Sequence, residues 1–298
     1  MSKKITVLGA TGNIGTALVH QLLQAGHAVA AVARPSARLD ALAAAGATAH
    51  AGDAHDAAFL TEALRGADAA FLMIPPNMAA PDVLAHMDAV GEATAQAVRH
   101  AGLKSAVHLS SIGADVAAGT GPVRGLHLQE ARLNAIAGLA VTHLRPAYFM
   151  ENLLANIGMI QHLGLMGSAQ RPDVAISMVA TADIAARAAE ILNGIIENGR
   201  VEYLVAPREY AMEDARAAIA QAIGKPELPY IPFPAADARQ GMVQAGLSES
   251  MADLYLEMIN DINHHGAMVL PPAGAARHTG PTTLEQFVQE RFTPAFAG

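Results

Sequence analysis

Apolar positions along the first half of the chain follow two alternating rhythms. Runs such as "ITVL", "AVAAVA", "AAFLMI" and "AVTHLR" are almost continuously apolar, as strands covered on both faces are. Between them, apolar residues recur every three or four positions, as in "TALVHQLLQAGH", which predicts helices with one buried face. Strands are expected near 5–8, 28–33, 48–51, 69–74, 105–111 and 140–145. Helices are expected from the first glycine cluster to about Gln24, then near 36–45, 57–64, 81–102 and 124–137. Gly46, Gly66 and Gly102 stand where three of these should stop. Six strands in this rhythm make a doubly wound parallel sheet with helices on both faces and a ligand at the strand C-termini.

After Met150 the pattern loosens. "ENLLANIGMIQHLG" reads as one helix, "DVAISMVAT" as a strand, and "ADIAARAAEILNG" as a helix with Thr181 at its N-cap. "VEYLVA" fits one more strand of the sheet, and from Pro207 onward the segments are mostly helical. The expected division is a nucleotide-binding domain over 1–150, with 174–206 returning to it. Residues 151–173 and 207–298 then form a smaller, mostly helical substrate lobe. The two parts interleave without a linker.

The turn "GATGNIG" after the first strand supplies the ligand. Gly9 permits the tight turn, Gly12 lets a diphosphate approach the backbone, and Gly15 lets the helix lie close on the strand. Thr11, Asn13 and Ile14 complete this loop, whose helix-start amides and dipole favour a phosphate. At the end of the second strand an acidic residue would select NAD; here Arg34 stands there, followed by Ser36 and Arg38. All three can bind a 2′-phosphate, which points to NADP(H). Asp53, after the third strand, is placed either to meet the adenine or to cap the next helix. Ile74 and Pro75 follow the fourth strand at the cofactor edge.

Composition narrows the alternatives. The 298 residues are 52% hydrophobic but only 4% aromatic, so aliphatic side chains and Met must fill a large core. A net charge of −8 without a basic run argues against a nucleic-acid surface. No stretch resembles a membrane span or a signal peptide. The absence of cysteine excludes disulfides and thiol chemistry and fits a cytoplasmic protein. Asn263, His264 and His265 have no acidic or Cys partner at ligand spacing, so they read as a solvated helix end and no metal is expected. A small-molecule substrate is expected, and a homodimer is compatible with the sequence.

"GATGNIG", "VAR", "GD", "LSSIGA", "THLRPAYFMEN" and "PTTLEQFVQE" occur in the order found in the NmrA-like branch of the atypical short-chain dehydrogenases/reductases. The chain resembles that family over nearly its whole length. The resemblance implies a Rossmann domain, NADP binding and a substrate lobe. It leaves two activities open: NADPH-dependent reduction of quinones or dyes, and non-catalytic redox sensing. It also places Pro146, Phe149 and Asn152 beside the nicotinamide and the substrate. Phe149, Met150, Leu153, Leu154 and Met159 would line an apolar pocket or fill the lobe core.

The wider superfamily uses a Tyr-x-x-x-Lys pair as its acid, and no Tyr here has Lys four residues later. At the expected place stand His127 and Ala131. His127 can donate a proton or hydrogen bond near the nicotinamide, or can be a helix histidine without a catalytic part. Glu130 and Arg132 on the same helix read as surface charges. Ser110 and Ser111 close the fifth strand, where a hydroxyl can bond the carboxamide, a substrate oxygen or local backbone. Ketone reduction forms an alkoxide whose conjugate acid has a pKa like that of water, ~15.7, and needs a positioned acid. Quinone reduction forms a phenolate with a conjugate acid near ~10, which water can protonate. The expected function is therefore an NADPH-dependent oxidoreductase acting on a small apolar electrophile such as a quinone.

Overall fold

The computed structural model describes residues 2–298. The chain first runs through β1 (Lys4–Leu8), α1 (Asn13–Gln24), β2 (Ala28–Ala33), α2 (Ala37–Ala44), β3 (Thr48–Ala51) and α3 (Ala57–Leu64). It continues through β4 (Ala69–Leu72), α4 (Val83–Ala101), β5 (Ser105–Leu109), α5 (Val123–Asn134) and β6 (Ala140–Pro146). After β7 (Tyr148–Phe149) come a 3-10 helix (Met150–Asn156), α6 (Ile157–Leu163), β8 (Met166–Ser168), β9 (Ile176–Val179) and α7 (Thr181–Asn193). Next follow β10 (Arg200–Val205), β11 (Glu209–Tyr210), α8 (Met212–Ala222), β12 (Tyr230–Pro232), α9 (Ala235–Gln244) and α10 (Glu249–Asn263). The chain ends with β13 (Arg277–Thr279), α11 (Leu284–Phe287), a π-helical turn (Val288–Phe292) and α12 (Thr293–Ala297).

The main sheet has eight strands, all paired in parallel, in the order β13-β10-β6-β5-β4-β1-β2-β3. Strand order reverses between β1 and β4, which opens a crevice above their C-terminal ends. The period-two alternation of strands divides the core. Ile5, Val7, Phe71, Val107 and Leu144 face α1 and α7, while Leu8, Ala70, Leu72, Ala106 and Val141 face α3 and α4. Side chains cap α2, α3 and α4: Ser36 accepts from Leu39 N, Asp56 from Ala58 N and Phe59 N, and Asp82 from Ala85 N. Gly102 ends α4 in the left-handed conformation.

Several expectations are corrected beyond β6. The segment read as one helix is a 3-10 helix followed by α6. β10 joins the main sheet beside β6, but β9 pairs with β7 and β11 in a small separate sheet. An eighth strand, β13, arrives from the distal part of the chain; its polar "RHT" carries no strand pattern because it is a short sheet edge. Thr181 does not cap α7. Ala180 is the N-cap residue, and Thr181 N donates to Glu151 Oε2 at 3.0 Å while Thr181 Oγ1 donates to Glu151 Oε1 at 2.5 Å. The glutamate of "FMEN" is thus the anion at this helix start. Asp183, two residues on in the same first turn, accepts from Thr282 N and Oγ1 at 3.0 and 2.8 Å and ties "PTT" to the same place.

A second core holds the lobe together. Met150, Leu153, Met178, Ile219, Phe287 and Phe292 form it with Ile112 and Val123, which come from the first half of the chain. The lobe therefore packs directly on the loop after β5. Helix α10 also covers the loop after β4: Ser248 N donates to Met78 O at 2.9 Å and Val83 N to Ser250 Oγ at 3.1 Å. No described helix is long and apolar enough to cross a membrane.

Candidate functional site

The glycine turn leaves β1 at the crevice, and its three glycines answer to different constraints. Gly9 has φ +68°, and a Cβ there would meet Met73 Sδ at 2.6 Å. A Cβ on Gly15 would run into the Gly9 carbonyl and Ala10 Cα, so α1 can lie on the strand only with glycine there. Gly12 has φ −79°, which any residue adopts, and the nearest atom to a Cβ would be Gly9 O at 3.4 Å. The protein interior thus permits a side chain at Gly12 and keeps the space outside it clear. Helix α1 has no side-chain cap, so the amides of Asn13 and Ile14 face that space without a protein acceptor. A turn of this shape fits a diphosphate.

The rim of the crevice is cationic. Arg34 is exposed just past β2 and has no ion-pair partner among the described residues. Arg38 Nη1 donates to Thr11 O at 3.4 Å, which holds its guanidinium over the glycine turn. Ser36 spends its oxygen as the cap of α2. Asp53 does not cap α3; Asp56 does. Asp53 Oδ1 instead accepts from His55 N and Nδ1 at 2.9 and 2.8 Å. The His55 amide, then its ring and finally the charge on Arg34 hold the Asp53 carboxyl below the usual range, against slight burial. Arg34 and Asp53 follow the paired ends of β2 and β3. Ile74 is buried, and Pro75 O accepts from His86 Nε2 at 3.2 Å.

The opposite wall is formed by the ends of β5 and β6. Ser110 N donates to Leu144 O at 2.8 Å and Ile112 N to Pro146 O at 3.0 Å, so Ser111 and Pro146 lie side by side. Ser111 is half-buried and Pro146 is buried. Ser110 turns into the protein: it is 2% exposed and its Oγ donates to Glu130 Oε1 at 2.5 Å. This corrects the reading of Glu130 as a surface charge. Its carboxylate accepts from Arg145 Nε and Nη2 at 2.9 and 2.6 Å, Arg145 Nη1 donates to Tyr203 OH at 2.6 Å, and Tyr203 OH donates to Asp115 Oδ1 at 3.3 Å. The sequence signal for this network was an arginine inside the otherwise apolar strand "AVTHLR", because a buried guanidinium requires a carboxylate. Arg132 does reach the surface, pairing with Asp88 and Glu92.

Helix α5 therefore rests on polar groups. Further along, His143 Nε2 donates to Asn134 Oδ1 at 3.0 Å, and His108 and His143 face each other through their Nδ1 atoms at 3.1 Å. With His143 protonated at Nε2, His108 supplies the shared proton and its Nε2 is left buried without a partner. Burial pushes both imidazoles below the usual histidine range, His108 well below it. They are a neutral pair at neutral pH.

His127 lies one turn from Glu130 on α5. Its Nδ1 donates to Ala114 O at 2.9 Å, so the neutral ring presents an unprotonated Nε2. The ring lines a cavity of about 270 Å³ between the starts of α4 and α5, with Leu84, Asp88, Ala117 and Arg124. Neither Ser111 nor Pro146 lines it. Phe149 is half-buried against the sheet core and Asn152 is exposed. Leu153, at 1% exposure, lies in the lobe core, the second of the two places expected for it. Met150 is buried there too. Sequence reasoning also passed over Tyr148, which adjoins Phe149 and the strand end.

Comparisons with known proteins agree with this geometry. The NmrA-like family model matches residues 1–288. The chain is 29% identical over 256 residues to quinone oxidoreductase 2 of Escherichia coli (strain K12), covering 84% of this chain and 85% of that protein. It is 29% identical over 260 residues to the NAD(P)H azoreductase of Xenophilus azovorans, covering 85% of each. A crystal structure of the NADPH-dependent quinone oxidoreductase from Escherichia coli complexed with NADPH superposes with a TM-score of 0.79 at 25% identity, over 97% of this chain and 99% of that one. With the switch-point crevice, the glycine turn and a family match spanning almost every residue, this chain belongs to the NmrA-like family.

Proposed function

We propose that this chain is an NADPH-dependent oxidoreductase that transfers hydride to a small apolar electrophile of the quinone type. Bound NADPH supplies the hydride. The chain's own residues bind and orient: the Gly9–Gly15 turn seats the diphosphate, and Arg34 and Arg38 face the 2′-phosphate. Ser111, Pro146 and Phe149 border the end where the nicotinamide and acceptor meet. The relatives named for quinone and azo reduction support the same reading.

The observation that carries the acceptor class is the hydrogen bond that holds His127. Its Nδ1 proton is committed to Ala114 O, and a neutral ring has no proton to give from Nε2. No Tyr-x-x-x-Lys pair replaces it. Such a site suits an acceptor whose reduced form water can protonate, so rate comes from orientation. Oxidation of NADPH in the presence of quinones, azo dyes and simple ketones tests this. Quinones should turn over and simple ketones should scarcely react. At saturating NADPH, His127→Ala should lose less than about tenfold in turnover, whereas removal of a general acid typically costs ~10²–10⁴-fold. A hundredfold loss with cofactor binding intact would make His127 the acid. No turnover on any acceptor, with redox-selective cofactor binding, would favour a sensor.

A further inference from the structure

The chain has five tyrosines, and three have their hydroxyls engaged by the protein. Tyr203 OH bonds Arg145 and Asp115, Tyr210 OH accepts from Leu284 N at 3.2 Å, and Tyr230 OH bonds Ser168 Oγ and Gln170 O at 2.7 and 2.9 Å. Tyr255 OH reaches only the soft sulfur of Met78, at 3.5 Å. Tyr148 OH makes no hydrogen bond of ordinary length with any described residue. Nor is its oxygen among the buried atoms left without a partner, which are His108 Nε2, Thr120 Oγ1 and Gln170 Nε2. Asn152 bears on the hydroxyl without a bond of ordinary length, and the oxygen, though deep in the lobe, is not fully enclosed.

Its position gives that hydroxyl a use. Tyr148 follows by two residues Pro146, which lies beside Ser111 at the end of β5, and it pairs with Met178 of β9. As strand neighbours in β7, Tyr148 and Phe149 point to opposite sides: Phe149 packs on the sheet core, Tyr148 on the lobe core together with Tyr230, Leu126 and Met258. We propose that Tyr148 is a specificity-determining residue of the acceptor site, donating a hydrogen bond to an oxygen of a planar, carbonyl-bearing acceptor. This inference rests on the oxidoreductase reading and names the side of the site that selects the acceptor. Tyr230 and Tyr255 near the phenol suit a flat ring, and a single O–H without a protein bond of ordinary length matches one carbonyl oxygen. Burial first, and then Tyr230 and Tyr255, hold the phenol above the usual tyrosine range against an opposing pull from Asn152, so it stays protonated through neutral pH.

The test is calorimetric titration of 1,4-naphthoquinone into the full chain saturated with NADP⁺, which binds without reacting, using the native protein and Tyr148→Phe. Loss of one neutral hydrogen bond should weaken quinone binding about three- to tenfold, with NADP⁺ affinity unchanged. In turnover assays KM for the quinone should rise by the same factor while kcat changes less. Equal quinone affinity in the two proteins would overturn the proposal, even if both reduce quinones. Absence of quinone binding to the native protein would overturn it as well. Tyr148-dependent binding without any turnover would support the site and remove the reductase reading instead.

Discussion

In the proposed reading Arg34 and Gly12 serve the cofactor by opposite means, the first through an exposed charge and the second through space. Arg34 has no ion-pair partner among the described residues, so a 2′-phosphate would not have to displace a carboxylate from it. A hydrogen bond to a charged group contributes roughly 1.5–3 kcal/mol, or about ten- to a hundredfold in affinity. Arg34→Ala should weaken NADPH by that factor in calorimetry and leave NADH unchanged; equal losses for both cofactors would remove the 2′-phosphate assignment. Gly12→Val should abolish binding of either cofactor while the protein stays folded. Its Cβ would meet only Gly9 O, at ordinary distance, and a poor cap residue costs about 1 kcal/mol. Far-ultraviolet dichroism and a melting curve would show the fold, and normal NADPH binding would move the diphosphate elsewhere. The places of these residues, on the glycine turn and at the strand end, were legible in the sequence because the constraint on each is local. Ser110 was not, because its hydroxyl answers to a carboxylate 20 positions away.

At the scale of elements, α5 shows where sequence patterning stops. Its register was legible, but Glu130 on a helix reads as a solvated charge until β6 brings Arg145 beneath it. Both side chains are nearly buried, at 8% and 9% exposure, and their bidentate pairing joins the helix to the strand ends. Breaking such a pair from one side leaves a buried charge and costs ~3–5 kcal/mol, whereas replacing both partners by apolar side chains is often nearly neutral. Glu130→Ala should lower the urea midpoint by the larger amount, and Glu130→Leu with Arg145→Met should recover most of the loss. Equal destabilisation by the single and double variants would mean that the pair contributes through shape alone. Glu151 shows the same limit. "FMEN" is readable as a motif, yet the reason for its glutamate is the start of α7, 30 residues later.

For the whole molecule, the arrangement under α5 sets a response to acid. His108 and His143 are fully buried, and both have folded-state values lowered by burial. In the unfolded chain they titrate near ~6.5, so between that value and their folded values the unfolded state binds more protons. Stability must then rise with pH in this window: it is fully present above ~6.5 and is lost as pH falls below it. The slope is at most ~1.4 kcal/mol per pH unit for each histidine. Carboxylates with lowered values, such as Asp53 and Glu202, lose their contribution only at more acidic pH, near or below the ordinary carboxylate range. The interval from about pH 6.5 to 5 therefore reports chiefly on the histidine pair. Urea denaturation across that interval should show falling stability in the native protein. A variant with both His108→Leu and His143→Leu should show a much flatter dependence, whatever its stability at neutral pH. Equal slopes in the two proteins would mean that the pair remains neutral in the unfolded state or gains its protons without cost when folded, and the polar seat of α5 would not be the acid-sensitive part of the fold.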